Sequence, residues 1–253
     1  MSAKSDANPS DLASWQVEVL RLTAFPSPTA QIEPNWWSDL AGKPPDLKTT
    51  TKRGESQEEG EYENGKLILK TQPTRIDWYY APSEQITQEG YQQGFVTMGS
   101  FPDIRDQFRE LILRWLEKGP TLQRLAFGAI LFRFVPDRDT SYRLLERYVP
   151  FTMDPQGSFD FIYQINRPRK LQRGLPSVAV NRLNRWQAMM FQGGPLDLQR
   201  GFSPTIEQHV IRLELDINTH PELTREISPG TAKEIFSELV DLATELAQNG
   251  DRP

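Results

Sequence analysis

A basic segment in the second half is the most unusual stretch of this sequence. Residues 161–196 contain no aspartate or glutamate. Guanidinium groups beside aromatic rings suit contacts with phosphates and nucleobases. Arg182 and Trp186 share one face of a strand, because they are four residues apart. The segment therefore predicts a surface for a ligand or a nucleic acid, formed by Arg167, Arg169, Lys170, Arg173, Arg182, Arg185 and Trp186.

Less specific explanations fit the same basic residues. The segment can be a solvated hairpin that pairs with an acidic stretch of the first half, or it can be a surface for self-association. The net charge of -5 favours these explanations over a nucleic-acid coat. The acidic stretch is itself typical of a solvated hairpin tip, and it contains Glu55, Glu58, Glu59, Glu61 and Glu63.

A pair of carboxylates is the second candidate for chemistry. Glu214 and Asp216 lie two residues apart on one face of a predicted strand, with Asp77 and His220 as possible neighbours. Such a group suits acid–base catalysis or a metal ion. The alternative is that Asp77 and Asp216 anchor turns, since each has a proline five residues later. His209 and His220 match no recognised metal-binding spacing.

Standard catalytic and cofactor motifs are missing from the sequence. The chain has no cysteine, which excludes disulfides, thiolate nucleophiles and sulfur-ligated zinc. The glycines at 193, 194 and 201 do not form a phosphate-binding loop before a helix, and no Gly-x-Ser-x-Gly elbow occurs. These observations favour a non-enzymatic protein without a cofactor or a metal.

Composition indicates a globular protein that is not embedded in a membrane. The 253 residues are 37% hydrophobic, which is enough to build a core. No apolar run approaches the roughly 20 residues that a membrane helix needs, and the polar N-terminus does not resemble a signal peptide. A cytoplasmic location and no membrane partner are therefore expected.

The predicted elements fall into two halves after a tail. Residues 1–14 read as a disordered tail, 15–120 as a first α+β half and 121–250 as a second, packed as one unit. The first half has a strand at 15–23, a short helix at 35–40, a hairpin at 48–72, a strand at 74–80, a loop at 82–99 and a helix at 100–119. The second has strands at 122–135, 159–167, 177–191 and 207–217, and helices at 141–148 and after Ser228.

Both halves follow the order β-α-β-β-β-α, which suggests an internal duplication. Asp77 corresponds to Asp216, and Phe108 corresponds to Phe236 within similar helical motifs. One long amphipathic helix can cover one antiparallel sheet. The sequence therefore predicts an α+β fold of two antiparallel sheets, each covered by its own long helix. A pseudo-twofold would relate the halves, and joining them edge to edge would create a cleft.

The element order resembles that of the TATA-binding protein and of helix-grip proteins. A second resemblance is carried by residues 124–150, by the strand ending Leu213-Glu-Leu-Asp-Ile-Asn and by the closing helix with Phe236. These features look like a sporadically distributed family of uncharacterised bacterial proteins of similar length. The chain departs from that pattern at Gly128-Ala-Ile-Leu-Phe-Arg, where Gly-Leu-Arg-Tyr-hydrophobic-Asn is expected. The resemblance implies no activity and no catalytic residue.

These observations support three hypotheses about function. The first is a non-catalytic binding or interaction protein that uses the cleft between the halves or the basic strands, with a protein partner or a second copy of itself. The second is a nucleic-acid-binding protein of bacterial defence or regulation, acting through residues 167–185. The third is a metal-dependent hydrolase that uses Glu214 and Asp216.

Overall fold

The computed structural model describes residues 12–30, 35–83, 94–176, 178–193, 196–197, 201–202, 206–223 and 225–251. Its strands are β1 (Gln16–Pro26), β2 (Leu47–Thr50), β3 (Ser56–Tyr62), β4 (Gly65–Gln72), β5 (Arg75–Ala81), β6 (Leu122–Val135), β7 (Ile162–Asn166), β8 (Arg169–Lys170), β9 (Ala179–Gly193), β10 (Leu196–Asp197), β11 (Gly201–Phe202) and β12 (Ile206–Thr219). The helices within these ranges are α1 (Trp36–Ala41), α2 (Phe101–Lys118), α3 (Arg138–Leu145) and α4 (Pro229–Asn249).

Ten of the strands form one antiparallel sheet in the order β2-β3-β4-β5-β1-β6-β12-β9-β7, and β8 pairs with β9. Strands β10 and β11 pair only with each other within the described ranges. The pairing of β1 with β6 joins the two predicted halves, and it extends from Gln16 opposite Phe132 to Pro26 opposite Leu122. The sheet is therefore continuous from β2 to β7.

Strand alternation gives the sheet two different faces. Along β12, the side chains of Leu213, Leu215 and Ile217 are buried, whereas Glu214 and Asp216 between them are partly exposed. The buried side packs against the helices, as the contact between Phe127 of β6 and Phe236 of α4 shows. We call the opposite side the outer face, and no described helix covers it.

The prediction of two sheets, each with its own covering helix, is wrong. One sheet of ten strands is present, and α2 and α4 pack against each other over the same face of it. The rings of Phe108 in α2 and Phe236 in α4 lie 6.5 Å apart between centroids. The physical reason is that separate sheets would leave two long apolar edge strands unpaired, and the pairing of β1 with β6 satisfies their backbone groups.

The first half also contains one strand more than predicted. The acidic stretch is not the tip of a hairpin, because Ser56–Tyr62 forms β3 between β2 and β4. Glu58 is buried on the helix-covered face beside Lys48, with which it forms an ion pair. On the outer face Glu59 lies 3.5 Å from Lys66 of β4. Lysines on the two neighbouring strands therefore offset the negative charge of β3.

Most residues of two other predicted segments lie outside the part of the chain that the structure describes. Residues 1–11 of the predicted tail and residues 84–93 of the predicted loop lie outside the described residues. Leu12 packs against the hydrophobic core, and the backbone amide of Trp15 donates to its carbonyl over 3.2 Å. None of the described helices has the length and apolar character needed to cross a bilayer.

An aromatic cluster connects the C-terminal end of α4 with the sheet. Trp186 of β9 stacks on Tyr148 at 4.9 Å between ring centroids, and Trp15 contacts both rings edge-on. The indole nitrogen of Trp15 donates to the carbonyl of Ala247 over 2.9 Å. All three side chains are buried, so they are structural anchors.

Truncating Trp186 is expected to destabilise the fold strongly. Trp186→Ala removes a fully buried indole, and such a change lowers the free energy of unfolding by about 3–5 kcal/mol. The matched control is Phe159→Ala, because Phe159 is 73% exposed, and its expected loss is under about 1 kcal/mol. Urea unfolding followed by circular dichroism measures both, and equal losses would contradict this packing.

Candidate ligand-binding site on the outer face

The basic segment lies against the acidic side of α4 and against Asp251, two residues after the helix. Arg169 Nη1 donates to Glu245 Oε2 over 2.8 Å, and Arg173 Nη2 donates to Asp241 Oδ2 over 2.5 Å. Arg167 Nε donates to Asp251 Oδ1 over 2.8 Å. Much of the predicted positive surface is therefore neutralised within the chain, by α4 rather than by the acidic stretch of the first half.

Burial removes two further members of the basic segment from any external surface. Arg182 is 4% exposed, and its Nη2 lies 3.3 Å from Glu245 Oε1. Burial lowers the pKa of this guanidinium, and the neighbouring Arg169 lowers it further, whereas Glu245 opposes the change. Trp186 lies on the same helix-covered face and is fully buried. Its ring is occupied by Tyr148 and Trp15, so it has no free surface for a nucleobase.

Lys170 and Arg185 are the two members of the basic segment that are neither buried nor paired with a carboxylate among the described residues. Lys170 is exposed on β8 and forms no ion pair among the described residues. Arg185 points to the outer face, opposite to Arg182, because the two are three residues apart on one strand. Arg185 is therefore the one residue of the predicted basic surface whose side chain lies at the centre of the outer face.

Glu245 is expected to stabilise the protein by pairing with Arg182 and Arg169. Glu245→Gln leaves the buried Arg182 without a carboxylate, and we expect the free energy of unfolding to fall by about 1–2 kcal/mol. This loss is smaller than the loss expected for a fully buried ion pair, because the Glu245 side chain is 36% exposed.

The control for this change is Glu222→Gln. The Glu222 side chain is 88% exposed and lies 3.8 Å from His220, so its loss is expected to change stability by less than about 0.5 kcal/mol. Urea unfolding at neutral pH measures both variants, and no loss in Glu245→Gln would show that the pairing does not stabilise the fold.

Two cross-strand rows of side chains meet at the centre of the outer face. One row crosses β5, β1, β6, β12 and β9 through Tyr79, Arg21, Gly128, Asp216 and Leu183. The next row crosses β1, β6, β12, β9 and β7 through Val19, Ile130, Glu214, Arg185 and Gln164. Strand register therefore gathers residues that are far apart in the sequence.

These rows enclose a cavity of about 300 Å³, which we call the outer-face cavity. Its polar lining includes Arg21, Tyr79, Gln164, Arg185, Glu214 and Asp216, and its apolar lining includes Ile130 and Leu183. Gly128 forms part of the floor. A glycine within a central strand often marks a place where another group approaches the backbone closely.

Arg21 is the group that approaches Gly128. A β-carbon added at Gly128 would lie 3.2 Å from Arg21 Nε and 3.3 Å from Arg21 Nη2. The guanidinium thus lies across the backbone of β6 and reaches β12, where its Nη2 is 3.9 Å from Asp216 Oδ2. That separation is too long for a hydrogen bond, so Arg21 is only loosely paired.

Both cavity arginines have donors without acceptors. The Nε atoms of Arg21 and Arg185 are shielded from solvent and have no hydrogen-bond partner among the described residues. Arg185 also forms no ion pair within that part of the chain, although Glu214 is its direct cross-strand neighbour. A buried donor without a partner costs about 1–3 kcal/mol, so the cavity holds unused capacity to bind an acceptor.

The two carboxylates of the cavity are engaged to different extents. Glu214 Oε2 accepts from Arg212 Nη1 over 2.8 Å, and Arg212 also donates to Gln187 over 3.0 Å. Asp216 Oδ1 accepts from Asn218 Nδ2 over 3.0 Å, which leaves Oδ2 with only the loose contact to Arg21. Asp216 thus keeps one oxygen available for a ligand.

The predicted turn and metal roles of these carboxylates are not supported. Asp216 lies within β12, and Asp77 lies within β5, where it accepts from Thr23 Oγ1 over 2.6 Å and from Arg75. Neither residue anchors a turn. His209 contacts Glu207, and His220 lies after β12. Among the described residues, no group of three or more His, Asp or Glu side chains could hold a metal ion.

Glu18 adds a shielded carboxylate at the bulge of β1 between Val17 and Val19. Its Oε2 is buried without a hydrogen-bond partner among the described residues. Burial raises the pKa of Glu18, Arg212 lowers it by a smaller amount, and Glu214 raises it. The folded protein therefore binds a proton at Glu18 more tightly than the unfolded chain does.

This raised pKa predicts a pH-dependent effect of Glu18→Gln. The stabilisation from protonated Glu18 is complete below its ordinary pKa of 4.5 and is lost as the pH rises through the raised value. The variant should therefore gain stability relative to the wild type between pH 4 and pH 7. Urea unfolding at both pH values measures the difference.

The control for this pH effect is Thr49→Val, an exposed outer-face change that adds or removes no titratable group. Its stability difference from the wild type should be the same at both pH values. The assignment is contradicted if Glu18→Gln behaves in the same way as this control.

Sequence reasoning missed the polar cavity residues Arg21, Tyr79 and Gln164, the glycine at position 128 and the apolar residues of the lining. Two signals were present in the sequence. Arg21 is a charged residue flanked by Leu20 and Leu22 in the mainly apolar central strand β1, and Gly128 interrupts the apolar run of β6. In a buried strand an unpaired charge and a glycine both lower stability, unless another group pairs with the charge or packs against the glycine.

No protein-family model matches the chain, and comparisons with curated proteins and with solved structures give no match either. The resemblances stated from the sequence remain predictions.

Proposed function

We propose that this chain is a non-catalytic binding protein that holds a small polar molecule in the outer-face cavity. The observation that carries this proposal is the pair of guanidinium groups of Arg21 and Arg185, whose buried Nε donors have no acceptor among the described residues. A ligand that supplies acceptors would remove this energetic cost. The Nε atoms of Arg124 and Arg182 also lack partners among the described residues, and Arg21 and Arg185 differ from them because both line the outer-face cavity.

The shape and lining of the cavity support a small ligand. Its volume of about 300 Å³ lies at the lower end of the range for small-molecule sites. Apolar side chains such as Ile130 and Leu183 stand beside a few charged groups, and this mixture is typical of such sites. Residues from both sides of the β1–β6 ladder line the cavity, with Arg21 on one side and Gly128 and Asp216 on the other.

Two observations favour binding at the cavity over the alternatives. Four arginines of the basic segment are paired with carboxylates of the C-terminal region, which weakens the argument for a nucleic-acid surface at 167–185. Glu214 is engaged by Arg212, and no third metal ligand accompanies Glu214 and Asp216 among the described residues. The proposal of a metal-dependent hydrolase therefore has less support.

A cavity-filling variant tests the proposed function. Gly128→Val adds apolar volume at the floor, and its new methyl groups would meet the movable end of Arg21. A valine also suits a central strand, so the variant is expected to fold. We expect a metabolite library to contain a compound that raises the melting temperature of the wild type by mass action but not that of Gly128→Val.

The matched control is Thr49→Leu, which adds apolar volume at an exposed position of the outer face in β2. The compound should stabilise this variant as it stabilises the wild type. The proposal fails if no library member stabilises the wild type, or if the compound stabilises Gly128→Val equally well.

A further inference from the structure

We infer that the ligand carries an oxyanion, a carboxylate or a phosphate, that binds Arg21 and Arg185, and an amine that binds Asp216. This inference rests on the proposed function, because it names the class of molecule that the outer-face cavity accepts. The supporting observations are the balance of charge in the cavity, the placement of the two arginines and the free oxygen of Asp216.

The charge balance of the cavity favours an anionic group. Glu214 is occupied by Arg212, which donates to it over 2.8 Å and lies outside the cavity lining. Of the remaining charges in the lining, Arg21 and Arg185 are positive and Asp216 is negative. Glu18 is the next carboxylate outside the lining, and burial raises its pKa, which favours its neutral form. The unbalanced charge of the lining is therefore positive, and it lies in a partly shielded space where ionic interactions are stronger than in water.

The placement of the two arginines suits one shared anion. Arg21 is on β1 and Arg185 is on β9, and β6 and β12 lie between these strands. The two strands are therefore about 14 Å apart, and the two backbones, which are offset by two residues along the sheet, are about 16 Å apart. Arg21 extends from β1 across Gly128 towards β12. The planar guanidinium group forms paired hydrogen bonds with carboxylates and phosphates, so the space between β1 and β9 can hold one oxyanion.

Asp216 supplies the acceptor for the other end of the ligand. Its Oδ1 is already bonded to Asn218, whereas Oδ2 has only the 3.9 Å contact with Arg21. When an oxyanion binds Arg21, Oδ2 loses part of that compensation and requires a donor. An ammonium group provides both the donor and the charge. The small cavity requires the oxyanion and the amine to be only a few bonds apart.

Arginine side-chain signals in NMR spectra test this inference at low salt. The probes are O-phosphoethanolamine and β-alanine, which carry an amine with a phosphate or a carboxylate, and ethanolamine, which lacks the oxyanion. We expect at least one of the first two probes to shift the Nε–Hε signals of Arg21 and Arg185. Of these two probes, the one that binds more tightly identifies phosphate or carboxylate as the oxyanion that the cavity accepts.

Substitutions establish that the signals report the cavity. Arg185→Gln should weaken binding roughly tenfold or more, because it removes a charge-assisted hydrogen bond. Arg21→Gln should weaken binding similarly, and it serves as the second variant if the first does not fold. Arg53→Gln is the charge-matched control, because Arg53 is exposed on the turn after β2, and it should leave the affinity unchanged.

Distinct outcomes contradict the inference and the proposed function. The inference is overturned if neither zwitterion shifts the signals of Arg21 and Arg185, or if ethanolamine binds as well as the two zwitterions. It is overturned likewise if Arg53→Gln weakens binding as much as Arg185→Gln. It is also overturned if a library compound excluded by Gly128→Val is unaffected by Arg185→Gln; the cavity would then bind a different class of ligand, and the proposed function would stand. The proposed function itself fails if no library compound stabilises the wild type, or if the compound that does so stabilises Gly128→Val equally well.

Discussion

The antiparallel pairing of β1 with β6 is the interaction on which the rest of the structure depends. It is the only ladder among the described strands that connects residues 15–120 with residues 121–250. The pairing satisfies the backbone groups of two apolar strands, and it makes one continuous sheet. It also places Arg21 directly opposite Gly128, so the same ladder that joins the halves creates the floor of the outer-face cavity.

The division of the sheet into two faces separates stability from binding. On the helix-covered face, aromatic packing and the pairing of basic strands with α4 hold the core together. On the outer face, the side chains of β1, β6, β12 and β9 are not covered by any described helix, and two of its arginines keep unused donors. The helix-covered face also has unpartnered donors, such as Arg182 Nε, but those of Arg21 and Arg185 line a cavity that a ligand can enter.

Local features were predictable from the sequence, whereas long-range register was not. The alternation of Leu213, Glu214, Leu215 and Asp216 predicted a strand with one buried face. The closing helix was correctly expected to begin after Ser228, whose hydroxyl accepts from the backbone amide of Thr231. The pairing of Arg169 with Glu245 spans 76 residues and depends on which strands lie beside the helix. The acidic residues 234, 238, 241 and 245 recur at helical spacing, and this was the signal for that contact.

The most direct test of the account is a crystal structure of the protein grown with O-phosphoethanolamine or β-alanine, whichever of the two binds more tightly. The account predicts electron density for the oxyanion within hydrogen-bonding distance of both Arg21 and Arg185, with the amine beside Asp216 Oδ2. An outer-face cavity that stays empty of the compound, with both arginines hydrogen-bonded instead to side chains of the same protein molecule, would contradict it.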